Sequence, residues 1–198
     1  MSKVELHIDL DGGAVPEDHY YIVYSMLKSK IDGYKDKGVT FLPIDGDRSG
    51  DLIELDDSNL ILRCPEKHSG DISQSIGDTF VKVGEHILRT GSVQKESLPE
   101  SPVLKCELCL VTSDYDPRGV RRDELCFQVG KRLGARLGHL DFGCEIGHRR
   151  HVHISGTRCF GHTVTVKGVS DEESIALQSD GIGQKTAMGL GQFRSVYH

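Results

Sequence analysis

The feature that most constrains this chain is one succession of hydrophobic periodicities that runs through it twice. Val4-Glu5-Leu6-His7-Ile8-Asp9-Leu10 alternates strictly, the pattern of a half-buried strand, and Asp11-Gly12-Gly13 ends it. Pro16-Glu17-Asp18 then opens a helix with Asp18 as the expected N-cap, and Tyr20, Val23, Tyr24, Leu27 and Ile31 recur on one face until Gly33. Short strands are expected over 39–44, 52–55 and 60–64, a short helix around Ile72 and Ile76, and strands again over 79–83 and 86–89. The second half repeats the order. A strand over 103–112 is followed by a helix opened by Asp116-Pro117 and buried through Leu125, Val129 and Leu133. Strands over 140–146 and 159–169 come next. Ser170-Asp171-Glu172-Glu173 has the form of a capping box, Gly181 ends the helix it starts, and a last strand covers 192–197.

Element order therefore predicts an α+β fold of two tandem ferredoxin-like modules, 1–92 and 103–198. Residues 93–102, polar and carrying Pro99 and Pro102, are the expected linker. Order alone carries the duplication, because the halves share no clear sequence repeat. The architecture includes the RNA-recognition motif, whose open sheet stacks bases, but its aromatic signature is not present here. No apolar run is long enough to span a membrane, and the N-terminus lacks the basic start and apolar core of a signal peptide. A cytoplasmic protein with reduced thiols is expected, so the six cysteines, at 64, 106, 109, 126, 144 and 159, read mainly as small buried residues.

Charge is unevenly distributed. The net charge of −6 hides a first hundred residues with 11 basic and 19 acidic side chains and a remainder with 13 and 11. Between Arg118 and Arg158 stand 9 basic and 4 acidic residues together with four histidines, a local field suited to phosphates. Arg121, Arg122, Lys131, Arg132 and Arg136 form a stripe on the expected helix. His148-Arg149-Arg150-His151-Val152-His153 lies between Gly147 and Gly156, which suggests a hairpin or loop. Arg149 and Arg150 suit phosphate contacts, and arginine planes stack on bases. On a strand, His151 and His153 would share one face and could act as an acid/base pair.

The strongest local signal is Gly181-Ile182-Gly183-Gln184-Lys185-Thr186-Ala187-Met188-Gly189-Leu190-Gly191-Gln192-Phe193. Glycines allow backbone amides to approach a phosphate closely, and Lys185 adds a point charge. A phosphate-binding loop of the Walker type is excluded: it needs glycine before Lys-Thr, where Gln184 stands, and a strand before it rather than a helix. A dinucleotide fingerprint fails at Thr186. The pattern G-x-G-x-K/R-x-x-x-G-x-G-x-F before a final strand resembles the hallmark of the CRISPR repeat RNA endonucleases, the sixth Cas protein family. Residues 168–178 and 16–24 resemble its Myxan-type branch.

That resemblance implies a metal-independent endoribonuclease without cofactor. It would bind a CRISPR repeat hairpin and cut it to mature crRNA, the ribose 2′-OH attacking the adjacent phosphate to leave a 2′,3′-cyclic phosphate and a 5′-OH. It would then stay bound with other Cas subunits of an interference complex. It points to His19 for proton transfer, with Tyr21 and Tyr24 beside it. Gly181, Gly183, Lys185, Gly189 and Gly191, with Arg121, Arg122, Arg132, Arg136, Arg149, Arg150 and His151, would hold the RNA. Two alternatives stand beside it. One is a subunit that binds RNA without cutting it. The other is a Cys/His metalloprotein built on Cys106-x-x-Cys109; against this, side chains three apart on a regular strand point to opposite faces.

Overall fold

The computed structural model describes residues 2–55, 58–110, 122–138 and 142–196; side chains 122–126 and 136–137 lie outside that description. The chain divides into two compact units. The first holds Met1–Ser97 with Ala187–Gly189, and the second Leu98–Thr186 with Leu190–His198. Among the described residues no helix is long and apolar enough to cross a membrane.

The first unit is built on an antiparallel sheet in the order β3-β6-β1-β8-β7, from β1 (Lys3–Asp11), β3 (Thr40–Phe41), β6 (Asn59–Pro65), β7 (Phe80–Val83) and β8 (His86–Ser97). The alternation read in β1 is realised. Val4, Leu6, Ile8 and Leu10 join one core with Val23, Leu27 and Ile31 of the helical segment and Ile72 and Ile76. Glu5, His7 and Asp9 take the other face. The two helices are α1 (Tyr20–Lys30) and α2 (Ser69–Ile76). A small second sheet, β2-β5-β4, is made of β2 (Ala14–Pro16), β4 (Asp47–Ser49) and β5 (Leu52–Glu54). Its strands of three residues are too short to show periodicity, and β2 and β4 were not expected.

The second unit repeats the theme with the sheet β10-β11-β9-β12: β9 (Val103–Cys109), β10 (Gly143–Ile154), β11 (Thr157–Lys167) and β12 (Phe193–Ser195). Its core joins Leu104, Cys106, Cys109, Val164 and Val166 to Val129 and Leu133 of α3 (Arg122–Leu137) and Leu177 of α4 (Asp171–Asp180). Both halves of the capping box are formed: Glu173 N–H donates to Ser170 Oγ at 3.3 Å, and Ser170 N–H donates to Glu173 Oε2 at 2.8 Å. The expected opening of α3 at Asp116-Pro117 lies outside the described residues.

Several expectations are corrected. The N-cap of α1 is His19, not Asp18, and it makes no side-chain cap bond. The strand expected over 39–44 is only Thr40–Phe41. Residues 93–102 are not a free linker. Val93–Ser97 extend β8 along β1, Gln178 Nε2 donates to Pro99 O at 2.6 Å, and Ser101 N–H donates to Ser174 Oγ at 3.1 Å. Prolines mark where a ladder stops, not whether the segment is packed. Cys106 and Cys109 do not point to opposite faces. The register shift that pairs His162 with Cys109 but Val164 with Cys106 sets three steps on β9 against two on β11, so both thiols enter the same core. Burial pushes both thiols up, Cys109 to about 12. No cluster of three metal-ligating side chains occurs among the described residues.

Candidate RNA-binding and catalytic surfaces

The described side chains are placed within their own units. His19 opens α1: its carbonyl accepts from Val23 N–H at 2.8 Å. Its ring is buried and stacks on Tyr20 with centroids 5.1 Å apart and planes 4° from parallel. Ile44 N–H donates to Nε2 at 3.0 Å, so Nε2 is the acceptor, and Nδ1 then carries the proton and donates to Pro16 O at 3.1 Å. The neutral ring thus ties the end of β2 to the segment that follows β3. Its transfer of a proton to any substrate would break one of those bonds.

Tyr24 is buried and Tyr21 half-buried, with ring centroids 6.5 Å apart. Tyr24 meets Tyr34 edge-on at 5.7 Å, and the Tyr34 hydroxyl donates to Ala187 O at 2.9 Å. Burial, with Tyr24 adding to it, holds the Tyr34 hydroxyl protonated far above its ordinary range. Tyr34 was missed in the sequence. It lies past the end of α1, and nothing in its neighbours signals a partner 153 residues away.

The glycine-rich segment is knitted into the protein. Ile182 N–H donates to Gly191 O at 2.9 Å, Gln184 N–H to Leu110 O at 3.0 Å and Gly191 N–H to Leu108 O at 2.8 Å. Gly191 has φ +68°, and a Cβ there would collide with the Ile182 carbonyl. At Gly183, with φ +83°, an added Cβ would come within 2.5 Å of Leu110 O. Gly181 and Gly189 are buried, the latter against the Phe41 ring. These three amides are therefore already engaged by protein carbonyls. What the segment turns to solvent is Gly183 and Lys185, and Lys185 has φ +59°, which L side chains rarely adopt.

The basic residues fall into different settings. Arg121 lies outside the described residues, as do the side chains of Arg122 and Arg136; Arg132 is half-buried on α3. The run 148–153, expected as a hairpin or loop, is part of the long strand β10, with a turn at Ser155-Gly156. Val152 and Ile154 are buried, and Arg150, which shares their face, lies 3.6 Å from Glu107 Oε2. Glu107 also meets Lys105 at 2.9 Å and Arg194 at 3.2 Å, so Arg150 belongs to an ion cluster. The opposite face holds Arg149, His151 and His153, all exposed, and His151 and His153 meet edge-on at 5.6 Å.

The family described as Cas6 Crispr matches residues 4–197. The CRISPR-associated endonuclease Cas6 of Myxococcus xanthus (strain DK1622) is 26% identical over 196 residues, covering 98% of this chain and 81% of that protein. A solved structure described as an RAMP protein binding different RNA substrates superposes with a TM-score of 0.70 at 16% identity, over 98% of this chain and 99% of that one. A Cas6-related protein from Pyrococcus furiosus superposes with a TM-score of 0.67 at 16% identity, over 99% of both chains. These likenesses establish the fold of tandem ferredoxin-like modules.

Proposed function

We propose, from the premise that this chain belongs to the Cas6 CRISPR family, that it binds CRISPR repeat RNA and cleaves it as an endoribonuclease. The observation that carries this reading is the family match over residues 4–197, which takes in both units and the complete glycine-rich pattern of residues 181–193. Cleavage would proceed without a metal, the 2′-OH attacking the adjacent phosphate. That chemistry needs a base for the hydroxyl, an acid for the departing 5′-oxygen and donors for the charge on phosphorus. Lys185, turned to solvent beside Gly183, suits the last role. His151 and His153 suit proton transfer better than His19, because they are exposed and His19 would first have to release Ile44. The cut RNA would remain bound and be passed to other Cas subunits.

A second reading, RNA retention without cleavage, is favoured by one observation: both ring nitrogens of His19 are already hydrogen-bonded. One experiment separates the two. The full chain is incubated with the repeat RNA of its own array in EDTA, and the products are resolved. A single cut leaving a 2′,3′-cyclic phosphate supports the first reading. Tight binding of uncut RNA supports the second. A cut that requires added magnesium refutes the metal-independent chemistry.

A further inference from the structure

The face of the β10–β11 hairpin that bears His151 gathers arginines, histidines and a phenylalanine. Cross-strand pairs set Arg149 opposite His162, His151 opposite Phe160 and His153 opposite Arg158. Residues directly opposite share a face, so these six side chains form one ladder of two arginines, three histidines and a phenylalanine, without a carboxylate. On the same strand, Val164 and Val166 continue this face into the core of the unit, whereas Phe160 is only half-buried and Arg149, His151, His153 and Arg158 are exposed. The Arg149 guanidinium carbon lies 4.3 Å from the Phe160 ring centroid, that of Arg158 5.1 Å, and the His151 ring 6.1 Å. Two planar cations and one imidazole are therefore held around one aromatic, and a second imidazole, His153, adjoins the first.

We infer that this face takes unpaired RNA nucleotides, stacking their bases on the Arg149–Phe160–Arg158 cluster and the adjoining imidazoles while the arginines neutralise the flanking phosphates. Double-stranded RNA does not fit the chemistry, because its bases already stack on one another and offer no free ring face. A purely electrostatic grip does not need Phe160 or the histidine pair at all. Stacking on an aromatic is tolerant of sequence, since every base has a π face. The arrangement also serves the proposed reaction. Attack by a 2′-OH requires that oxygen to line up behind the departing 5′-oxygen, which a nucleotide held in a regular helix does not present. A splayed nucleotide stacked at Phe160 would lie beside His151. The inference rests on the RNA-binding part of the proposed function and holds whether or not the bound strand is cut.

The test uses the full chain and three fluorescent ligands: an eight-nucleotide oligouridylate, an abasic ribose-phosphate chain of equal length, and a blunt, loop-closed RNA hairpin. Wild type is expected to bind the oligouridylate roughly ten-fold more tightly than the abasic chain. Phe160→Leu should abolish that preference while changing affinity for the abasic chain and the hairpin less than about two-fold, and Phe160→Tyr should retain it. If Phe160→Leu melts well below wild type, Phe160→Met, which also fills the space without a ring, is measured in its place. Equal binding of based and abasic chains by wild type, or an unchanged preference in a ringless variant, overturns the inference. If that happens while the repeat RNA is still bound, this face alone is misassigned. If wild type binds neither the three ligands nor the repeat, the RNA-binding reading falls with it.

Discussion

The buried polar groups of the first unit and the exposed ladder of the second use the same residue types to opposite ends. In the first unit Arg63 is buried opposite Glu5 and donates to Glu5 Oε1 from Nε at 2.8 Å and Nη2 at 2.7 Å. His7 sits 3.2 Å from Glu5 Oε2 and 3.7 Å from Glu96. His19 is closed in by Ile44 and Pro16. In the second unit, Arg149, Arg158, His151 and His153 stand on an exposed strand face. A buried charge or imidazole is tolerable only when its bonds are made inside the protein, and making them commits the side chain to structure. The comparison teaches that basic residue type locates candidates, while burial and partnership decide which of them remains available to a ligand.

The comparison can be broken at its strongest point first. Arg63→Met leaves the Glu5 carboxylate buried without its main partner and should cost about 3–5 kcal/mol in urea unfolding. A loss below about 1 kcal/mol would show that this pair is not the commitment described. The same cluster predicts a pH window. Burial raises the Glu5 carboxyl, but the His7 hydrogen bond and the Arg63 charge outweigh it, so the net position is below the ordinary 4.5. The His7 hydrogen bond to Glu5 raises the imidazole above its ordinary 6.5 against the opposing effect of burial. Glu5 therefore contributes stability above 4.5 that is lost as pH falls through its lowered value. His7 contributes stability below 6.5 that is lost as pH rises through its raised value. Both contributions are fully present between 4.5 and 6.5, and His7→Phe should flatten the alkaline side of a thermal-melt profile and also weaken the acid side, because it removes a hydrogen bond that lowers the Glu5 carboxyl.

Next in size, His19→Ala strands the Ile44 N–H and should cost about 1–3 kcal/mol. Cleavage measured well below the melting temperature should fall no more than binding does. A loss of about 10²-fold in single-turnover rate with unchanged stability would instead restore His19 to the chemistry. Tyr34→Phe removes one neutral hydrogen bond to Ala187 and should cost about 0.5–1.5 kcal/mol. Smallest in stability is Arg149→Ala, expected within about 0.5 kcal/mol of wild type in the same melt. It should nevertheless lower the slope of log affinity against log salt for RNA by about one, which is the signature of a phosphate contact. An unchanged slope would place Arg149 with the structural arginines.

Much of the fold was legible because it is written in local periodicity. The alternation of Val4 to Leu10, the capping box at Ser170 and the glycine stop at Gly181 each depend on residues within a few positions of one another, and each formed as read. The candidate site was legible only as residue types. Arg149 and Arg150 are neighbours in sequence and looked equivalent, yet strand geometry sends one to the Phe160 cluster and the other to Glu107. Phe160 itself gave no signal, because its importance lies in the three residues across the hairpin and along the strand that surround it. The inference from Cys106-x-x-Cys109 failed for a similar reason: a bulge shifted the face by one residue, and bulges are set by the partner strand.

The sequence by itself determined the principal strands and helices, the two-module architecture and the glycine-rich stretch before the last strand, because spacing, capping and backbone freedom are properties of short stretches of chain. Only the tertiary structure decided that His19 is tied, that three of the loop's amides are already bonded, and that one face of β10–β11 gathers arginines and rings into an open ladder. The physical reason is that hydrogen-bond partners and burial are supplied by residues distant in sequence, and a side chain's availability is what those partners leave over.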